Sequence, residues 1–342
     1  MRLAAALIVA SMSLALTGCK GKSSGEAQAA SGRGGAVVAF LLSTLQEERY
    51  TKDQRYFEDA ARRHGLAPFT LSADNDNSRQ LAQIEDALSQ GARVLVIQPT
   101  DSAAAGNYVA KAHAAGAKVV AYDRSIPGAD FYVAHDSHRI GVLQAEQAIK
   151  ATGGRGNFVL LDGQSGHSVA GEIARGYHDT LKPYIDQGAI RIVVEQNHDA
   201  WSPEQALNTV QDAIAMTKGD LQAILAHNSG MARGAVQAIV AGGLSDKKIF
   251  VAGADADAAN VNYVCEGKQS VEVLKDIQPL AVKAAEVAFA LASGKPVEGQ
   301  TVGADGKIPV ANVDVHLITP STVKKLLIDS GFHSASALPA CK

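Results

Sequence analysis

Short runs of Val, Ile, Leu and Ala, separated by longer amphipathic stretches, recur from Ala36 to Ile318. This alternation restricts the chain to strand–helix–strand units on mostly parallel sheets. The predicted strands are Ala36–Leu41, Pro68–Ser72, Val94–Gln98, Lys118–Tyr122, Phe131–Ala134, Asn157–Leu161, Arg191–Glu195, Ala223–Ala226, Ile249–Ala252, Ser270–Leu274 and Val313–Ile318. Helices fill the gaps: Asn77–Gln90 places Leu81, Ile84 and Leu88 on one face and stops at Gly91, as a helix with a glycine after its last turn does. So many strands exceed one small sheet, and a fresh series of strand–helix units begins at Gly153–Asn157. With 342 residues, and about 100–200 per domain, the prediction is two similar α/β domains, each a doubly wound parallel sheet. In such folds ligands sit in the crevice at the carboxyl ends of the strands.

The first residues read differently from the body. Arg2 is the one charged side chain before Lys20, and Leu3 to Leu16 is an apolar run of the length found in export signals, shorter than the roughly 20 residues of a spanning helix. It ends in Leu16-Thr17-Gly18-Cys19, which resembles the lipobox of bacterial lipoproteins and implies lipidation at Cys19. Residues 1–18 are then a signal peptide, and 19–35, rich in Gly, Ser, Ala, Lys and Gln, a flexible lipidated tether. The expected location is the periplasm, at the membrane by its lipid anchor alone. Lys20, in place of an aspartate retention signal, leans to the outer membrane. An exported compartment also lets Cys265 and Cys341 pair or stay free.

Polar residues gather where strands end: Asp123-Arg124, Asp162-Gly163-Gln164, Asn228-Ser229, Asp255 with Asp257, and Lys275-Asp276. Each alone could cap a helix as readily as touch a ligand; together they point to the crevice. Thirty-two basic and 35 acidic residues give a formal charge of −3, which offers no bulk attraction for nucleic acid and suits a small uncharged ligand. A neutral sugar needs Asp, Asn and Arg around its rim and aromatic planes over its C–H faces. Trp201, the one tryptophan, sits in His198-Asp199-Ala200-Trp201-Ser202-Pro203 ahead of a helix that Pro203 would start, and Arg49-Tyr50 follows the first strand.

Across residues 36–333 the chain resembles the periplasmic xylose-binding proteins and their relatives in the ribose/galactose-binding group of ABC-transporter sugar receptors. The resemblance is carried by Glu48-Arg49-Tyr50-Thr51-Lys52-Asp53, Val94-Leu95-Val96-Ile97-Gln98-Pro99, Val120-Ala121-Tyr122-Asp123-Arg124, Trp201-Ser202-Pro203-Glu204, Gly253-Ala254-Asp255-Ala256-Asp257 and Gly331-Phe332-His333, in order and spacing. It implies the type I periplasmic binding protein fold, two domains joined by a three-strand hinge near Asp136, Asp276 and the residues just before Val313. The N-terminal domain would comprise 36–135 and 277–311, the C-terminal domain 136–276 and 312–333, and the tail 334–342. It also implies that Arg49, Asp123, Arg124, Asn228, Asp255 and Lys275 hydrogen-bond a monosaccharide while Tyr50 and Trp201 stack on it. Three departures stand out. Tyr50 replaces a tryptophan. His167 and Val169 stand where the xylose receptors carry polar contacts, so that Gln164, Ser168 or Glu172 substitutes or the ligand differs there. Ser229 likewise replaces an acidic neighbour of the asparagine.

The function expected is a monomeric receptor that captures xylose or a similar pentose or hexose and delivers it to ABC permease subunits. The alternative is a sensory receptor that presents a sugar or autoinducer-like ligand to a chemoreceptor or kinase. No enzyme, cofactor, metal or nucleic-acid role is expected: Gly163-Gln164-Ser165-Gly166-His167 departs from the G-x-S-x-G nucleophile turn at its last residue, the ten histidines form no His-x-x-x-His on a helix and no His-rich loop, and phosphate-cradling glycine motifs are missing from the sequence.

Overall fold

A computed structural model describes residues 34–297, 300–301 and 308–341; Cys19 and the residues expected to form an export signal and a tether, as far as residue 33, lie outside them. The chain opens with β1 (Val37–Leu42), α1 (Glu48–Arg63), β2 (Ala67–Ser72), α2 (Asn77–Ser89), β3 (Val94–Ile97), α3 (Gly106–Ala114), β4 (Lys118–Tyr122) and β5 (Phe131–His135). It crosses into α4 (Ser137–Thr152), β6 (Gly156–Asp162), α5 (Ser168–Asp186), β7 (Ile190–Asn197), α6 (Pro203–Thr217), β8 (Ala223–Ala226), α7 (Ser229–Ala241), β9 (Phe250–Ala254), α8 (Ala258–Glu266) and β10 (Val271–Lys275). It then returns through α9 (Ile277–Ala292), β11 (Gln300–Thr301) and β12 (Pro309–Val313), and finishes with β13 (Val315–Ile318).

These strands form two sheets, a seven-stranded one in the order β11-β12-β5-β4-β3-β1-β2 and a six-stranded one in the order β13-β10-β9-β8-β6-β7. Pairing is parallel except at the edges, where β11 meets β12 and β13 meets β10 antiparallel. The period of two along β1 shows how the layers arise: Val38, Phe40 and Leu42 pack with α1 and α9 on one face, Ala39 and Leu41 with α2 and α3 on the other. The same two-sided burial makes β6 and β8 continuous apolar runs in the second lobe. Helix α2 matches its predicted span, capped by Asp76, which accepts from the Arg79 N–H at 2.9 Å, and followed by Gly91 at φ +82°.

The chain passes between the sheets at Asp136, Asp276 and Asp314. Asp136 and Asp276 cap the helices that follow, α4 and α9, and the His135 Nε2–H donates to the Asp276 carbonyl at 3.1 Å, tying two crossings together. One sequence expectation is corrected here. The apolar pattern through Val313–Ile318 read as one strand starting the second lobe, but Asn312 and Val313 belong to β12, in register with Ala134 and His135 of β5. The break falls at exposed Asp314, because both flanking strands keep the same alternation and only their pairing partners differ. The short β11 was missed altogether, being two residues long.

Cys265, in the last turn of α8, is disulfide-bonded to Cys341 with a Cα–Cα separation of 5.2 Å. The bond docks the tail, whose Leu338 is buried in a small cluster with Val261, Leu274 and Leu327. In the chain-entropy account, closing a loop of 76 residues restrains the unfolded chain by about 4 kcal/mol. Cys341→Ser is therefore expected to lower the melting temperature by roughly 10 °C. Equal melting curves for the two oxidised proteins would remove the staple from the account.

Candidate functional site

The carboxyl ends of both sheets face one another across a narrow cavity. Its walls include Arg49, Tyr50, Asp123 and Arg124 from the first lobe, Trp201, Asn228 and Asp255 from the second, and Lys275 at a crossing. All eight residues expected at the site are therefore brought to one place. Glu47, Val169 and His227 complete the wall.

Arg49 lies in the first turn of α1, one helical turn before Asp53. Its Nε donates to Asp53 Oδ2 at 3.2 Å, and Nη1 stands 3.4 Å from Asp123 Oδ2 and 3.7 Å from Asp255 Oδ1. Asp123 follows β4 at φ +61°, a conformation Asp tolerates better than most residues, and turns its carboxylate into the cleft. Lys275 Nζ approaches Asp123 Oδ1 at 3.0 Å and Asp255 Oδ1 at 3.8 Å. Burial would raise the Asp123 carboxyl, but the charges of Arg49 and Lys275 outweigh it and hold the group well below its usual range.

Gln98, buried at the end of β3, organises the first-lobe side. Its Oε1 accepts from the Ser43 hydroxyl at 2.9 Å, and its Nε2 donates to the Tyr50 hydroxyl and to Asp123 Oδ2, each at 3.2 Å. Arg124 is fixed by its Nη1–H donating to the Pro99 carbonyl at 2.9 Å. Asn228 resolves the choice between cap and ligand contact by serving as the first and staying available for the second. Its Oδ1 caps α7 through the Met231 N–H at 2.8 Å, which leaves the amide Nδ2 as the group it can offer to the cavity.

Trp201 follows a turn with left-handed backbone at Ala200 and Trp201, after which Ser202 caps α6 and Pro203 occupies its first position. A Cβ on Gly163 would come within 2.4 Å of the indole, so the glycine is what admits the ring. The Trp201 Nε1–H donates to His167 Nδ1 at 2.8 Å, and the two rings stack at 5.8 Å. On its other side the His167 Nε2–H donates to the Thr100 carbonyl of the first lobe at 2.5 Å. With both nitrogens engaged the ring is neutral, and burial followed by the Arg124 charge pushes it down to about 3.

His167 is thus a clasp between the lobes, alongside Ser102 N–H to the Gly166 carbonyl at 3.2 Å and Ser125 N–H to Ser168 Oγ at 2.9 Å. Opening would return the ring to an ordinary value near 6.5, so closure is favoured fully above that pH and is lost as the pH falls toward 3. Between pH 7 and pH 5 ligand affinity is expected to fall roughly 25-fold. His167→Gln, which can keep an acceptor for the indole and a donor for Thr100, should flatten that profile in calorimetric titrations; an unchanged slope would exclude the clasp.

The sequence left open whether Gln164, Ser168 or Glu172 supplies a polar contact beside Val169. None of the three lines the cavity. Gln164 Oε1 accepts from the Ala200 N–H at 2.9 Å, and Ser168 Oγ is occupied by Ser125. That stretch of wall is apolar Val169. The sequence reading missed Glu47, the residue before α1, whose side chain makes no capping bond and whose buried Oε2 has no hydrogen-bond partner among the described residues. Burial, partly offset by Arg124, raises its carboxyl. The signal for it is faint: one more acid in a run of charges at a helix start.

The model of the family described as "Periplasmic binding protein domain" matches residues 38–296. The D-xylose-binding periplasmic protein of Escherichia coli (strain K12) is 35% identical over 308 residues, covering 88% of this chain and 92% of that protein. A carbohydrate transporter solute-binding protein from Chloroflexus aurantiacus, solved in complex with D-glucose, superposes with a TM-score of 0.80 at 30% identity, over 88% of this chain and 97% of that one. An ABC transporter solute-binding protein from Clostridium phytofermentans with bound β-D-glucose gives a TM-score of 0.80 at 27% identity, over 88% and 99%.

Proposed function

The chain belongs to the periplasmic binding protein family, and from that membership and the make-up of its cleft we propose that it is an extracytoplasmic receptor that encloses a neutral monosaccharide, xylose or a similar pentose or hexose, and delivers it to an ABC importer. The observation that carries the reading is the charge balance at the cavity: the cations Arg49, Arg124 and Lys275 are matched by the carboxylates Asp123 and Asp255 in the wall and Asp53 bound to Arg49 behind it. A charged ligand would upset that balance in a buried place, whereas a polyol can bridge donors and acceptors without adding charge. Tyr50 and Trp201 add aromatic planes, and Val169 an apolar surface, suited to the C–H groups of a sugar ring.

Each lobe supplies only part of this set, so neither binds well alone and ligand favours the closed arrangement. No bond is made or broken; release follows opening. A thermal-shift screen of the soluble body against pentoses, hexoses and polyols tests the proposal. Ligand at 100 times its Kd adds about 2.7 kcal/mol of stability, a shift of several degrees. No shift with any monosaccharide at millimolar concentration would overturn it.

The same proposal includes a lipid tether, supported by the Leu16-Thr17-Gly18-Cys19 pattern and by the spacer that follows. Acyl chains contribute roughly 0.8 kcal/mol per buried methylene, enough for stable anchoring when more than one chain is attached. Cys19→Ser is expected to abolish labelled palmitate incorporation and to release the protein from the membrane fraction; unchanged labelling would refute the tether.

A further inference from the structure

Glu272 sits in the middle of β10, fully buried, and lines no part of the cavity. Its Oε2 accepts from the Ser229 hydroxyl at 2.8 Å and from the Ala256 N–H at 3.1 Å, and its Oε1 accepts from the Gln269 Nε2–H at 2.5 Å. No cation approaches it within ion-pair distance among the described residues. A carboxyl group in that position is a cost to folding unless its contacts achieve something a hydrophobic residue could not.

The contacts are specific. Ser229 and Ala256 are the residues that immediately follow Asn228 and Asp255, one at the end of each of two neighbouring strands. Asp255 and Ala256 have φ of +94° and +56°, a backbone that residues other than glycine adopt only when their surroundings impose it. The Ala256 N–H bond to Glu272 is such an imposition, because it fixes the peptide plane that aims the Asp255 side chain.

Ser229 Oγ extends the network by accepting from the Asp257 N–H at 3.1 Å. Asn260 Nδ2 braces both partners, donating to the Ser229 carbonyl at 2.8 Å and to Gln269 Oε1 at 2.9 Å. Space for the carboxyl is also provided: a Cβ at Gly253 would lie 2.3 Å from Glu272 Oε1.

We propose that Glu272 is a positioning residue whose single carboxyl group holds the β8–α7 and β9–α8 turns in the arrangement that presents Asn228 and Asp255 to the ligand. The inference rests on the reading of the cavity as a sugar site. Burial pushes the group up to about 8, with hydrogen bonds from Gln269 and Ser229 opposing and the charge of Asp257 adding to the rise.

The test is a double-mutant cycle read by calorimetry, with the tightest-binding of D-xylose, D-ribose, D-glucose and D-galactose as probe. Glu272→Gln, and Glu272→Leu as a second variant, are each expected to weaken binding about tenfold. In an Asp255→Ala background the loss should shrink to about threefold or less, because the residue acts through Asp255; in an Arg124→Ala background, on the opposite lobe, it should stay near tenfold. A purely structural residue would lose the same factor in every background, and that result, or full affinity in both single variants, overturns the inference. Should Glu272→Leu fail to fold, the cycle with Glu272→Gln decides. Wild type that binds no monosaccharide of the thermal-shift screen would overturn the receptor reading itself, and the positioning role with it.

Discussion

Asp255→Ala should weaken monosaccharide binding by about 10- to 100-fold while the melting temperature without ligand moves little. A carboxylate can accept from two sugar hydroxyls, and a hydrogen bond to a charged group is worth roughly 1.5–3 kcal/mol. The small effect on the free protein follows from the distances. Asp255 lies 3.7 Å from Arg49 and 3.8 Å from Lys275, whereas those cations keep closer partners, Asp53 for Arg49 at 3.2 Å and Asp123 for Lys275 at 3.0 Å. Removing Asp255 therefore takes away a group offered to ligand and leaves both cations paired. Calorimetry of wild type and variant with the best sugar of the screen checks this, and equal affinities would take Asp255 out of the site.

Asp123→Asn should cost both stability and binding. Asp123 is the shared anion of Arg49 and Lys275 in a place closed to water, and its neutral replacement leaves two buried cations with less charge between them. Breaking such a pair costs about 3–5 kcal/mol, on the order of 10 °C in melting temperature for a chain of this size. Sugar affinity should fall by roughly 100-fold or more, since Gln98 and Lys275 lose their reference point together with the carboxylate. The pH dependence has a definite sign. The folded carboxyl lies well below its usual 3.8, so its contribution is complete above that pH and is lost as the pH falls through the lower, folded value. The gap in melting temperature between wild type and Asp123→Asn should be full at pH 7 and close in strong acid. A gap independent of pH would mean the loss comes from packing and not from charge.

The two results separate what a cleft residue does for the ligand from what it does for the fold, and only part of that distinction is written in the sequence. The alternation of apolar runs and amphipathic stretches carries the architecture, because strands covered on both faces must be apolar throughout, as Leu160 and Leu225 are in the second sheet. Polar residues at strand ends were legible for the same reason: an Asp or Asn straight after a buried strand emerges at a layer's rim. The Asp314 break was not legible, since β12 and β13 share one alternation and differ only in which sheet they join.

Glu47 and Glu48 show a second limit. They are identical in type and adjacent, yet one lines the cavity while the other is exposed and accepts from the Ala258 N–H at 3.2 Å. Only the extended backbone of Glu47, one residue ahead of α1, separates them. Buried polar residues inside strands are hidden more deeply: Glu272 is a lone acid between Val271 and Val273, and its partners Ser229, Ala256 and Gln269 come together only in the fold. His167 gave a signal in the form of a departure from the pattern of similar receptors, but its engagement by Trp201 and Thr100 requires the closed lobes.

Trp201 is the one tryptophan in the chain, and it stands in the cavity wall between the lobes. Its emission therefore reports the site with no other indole contributing, which makes a fluorescence titration of the wild-type body with D-xylose, D-ribose, D-glucose and D-galactose the most direct test of enclosure between the lobes. The expected result is a saturable change in intensity or wavelength with at least one of these sugars, diminished in Asp255→Ala at the same concentrations. An emission spectrum that stays constant in folded protein up to millimolar concentrations of all four would contradict it.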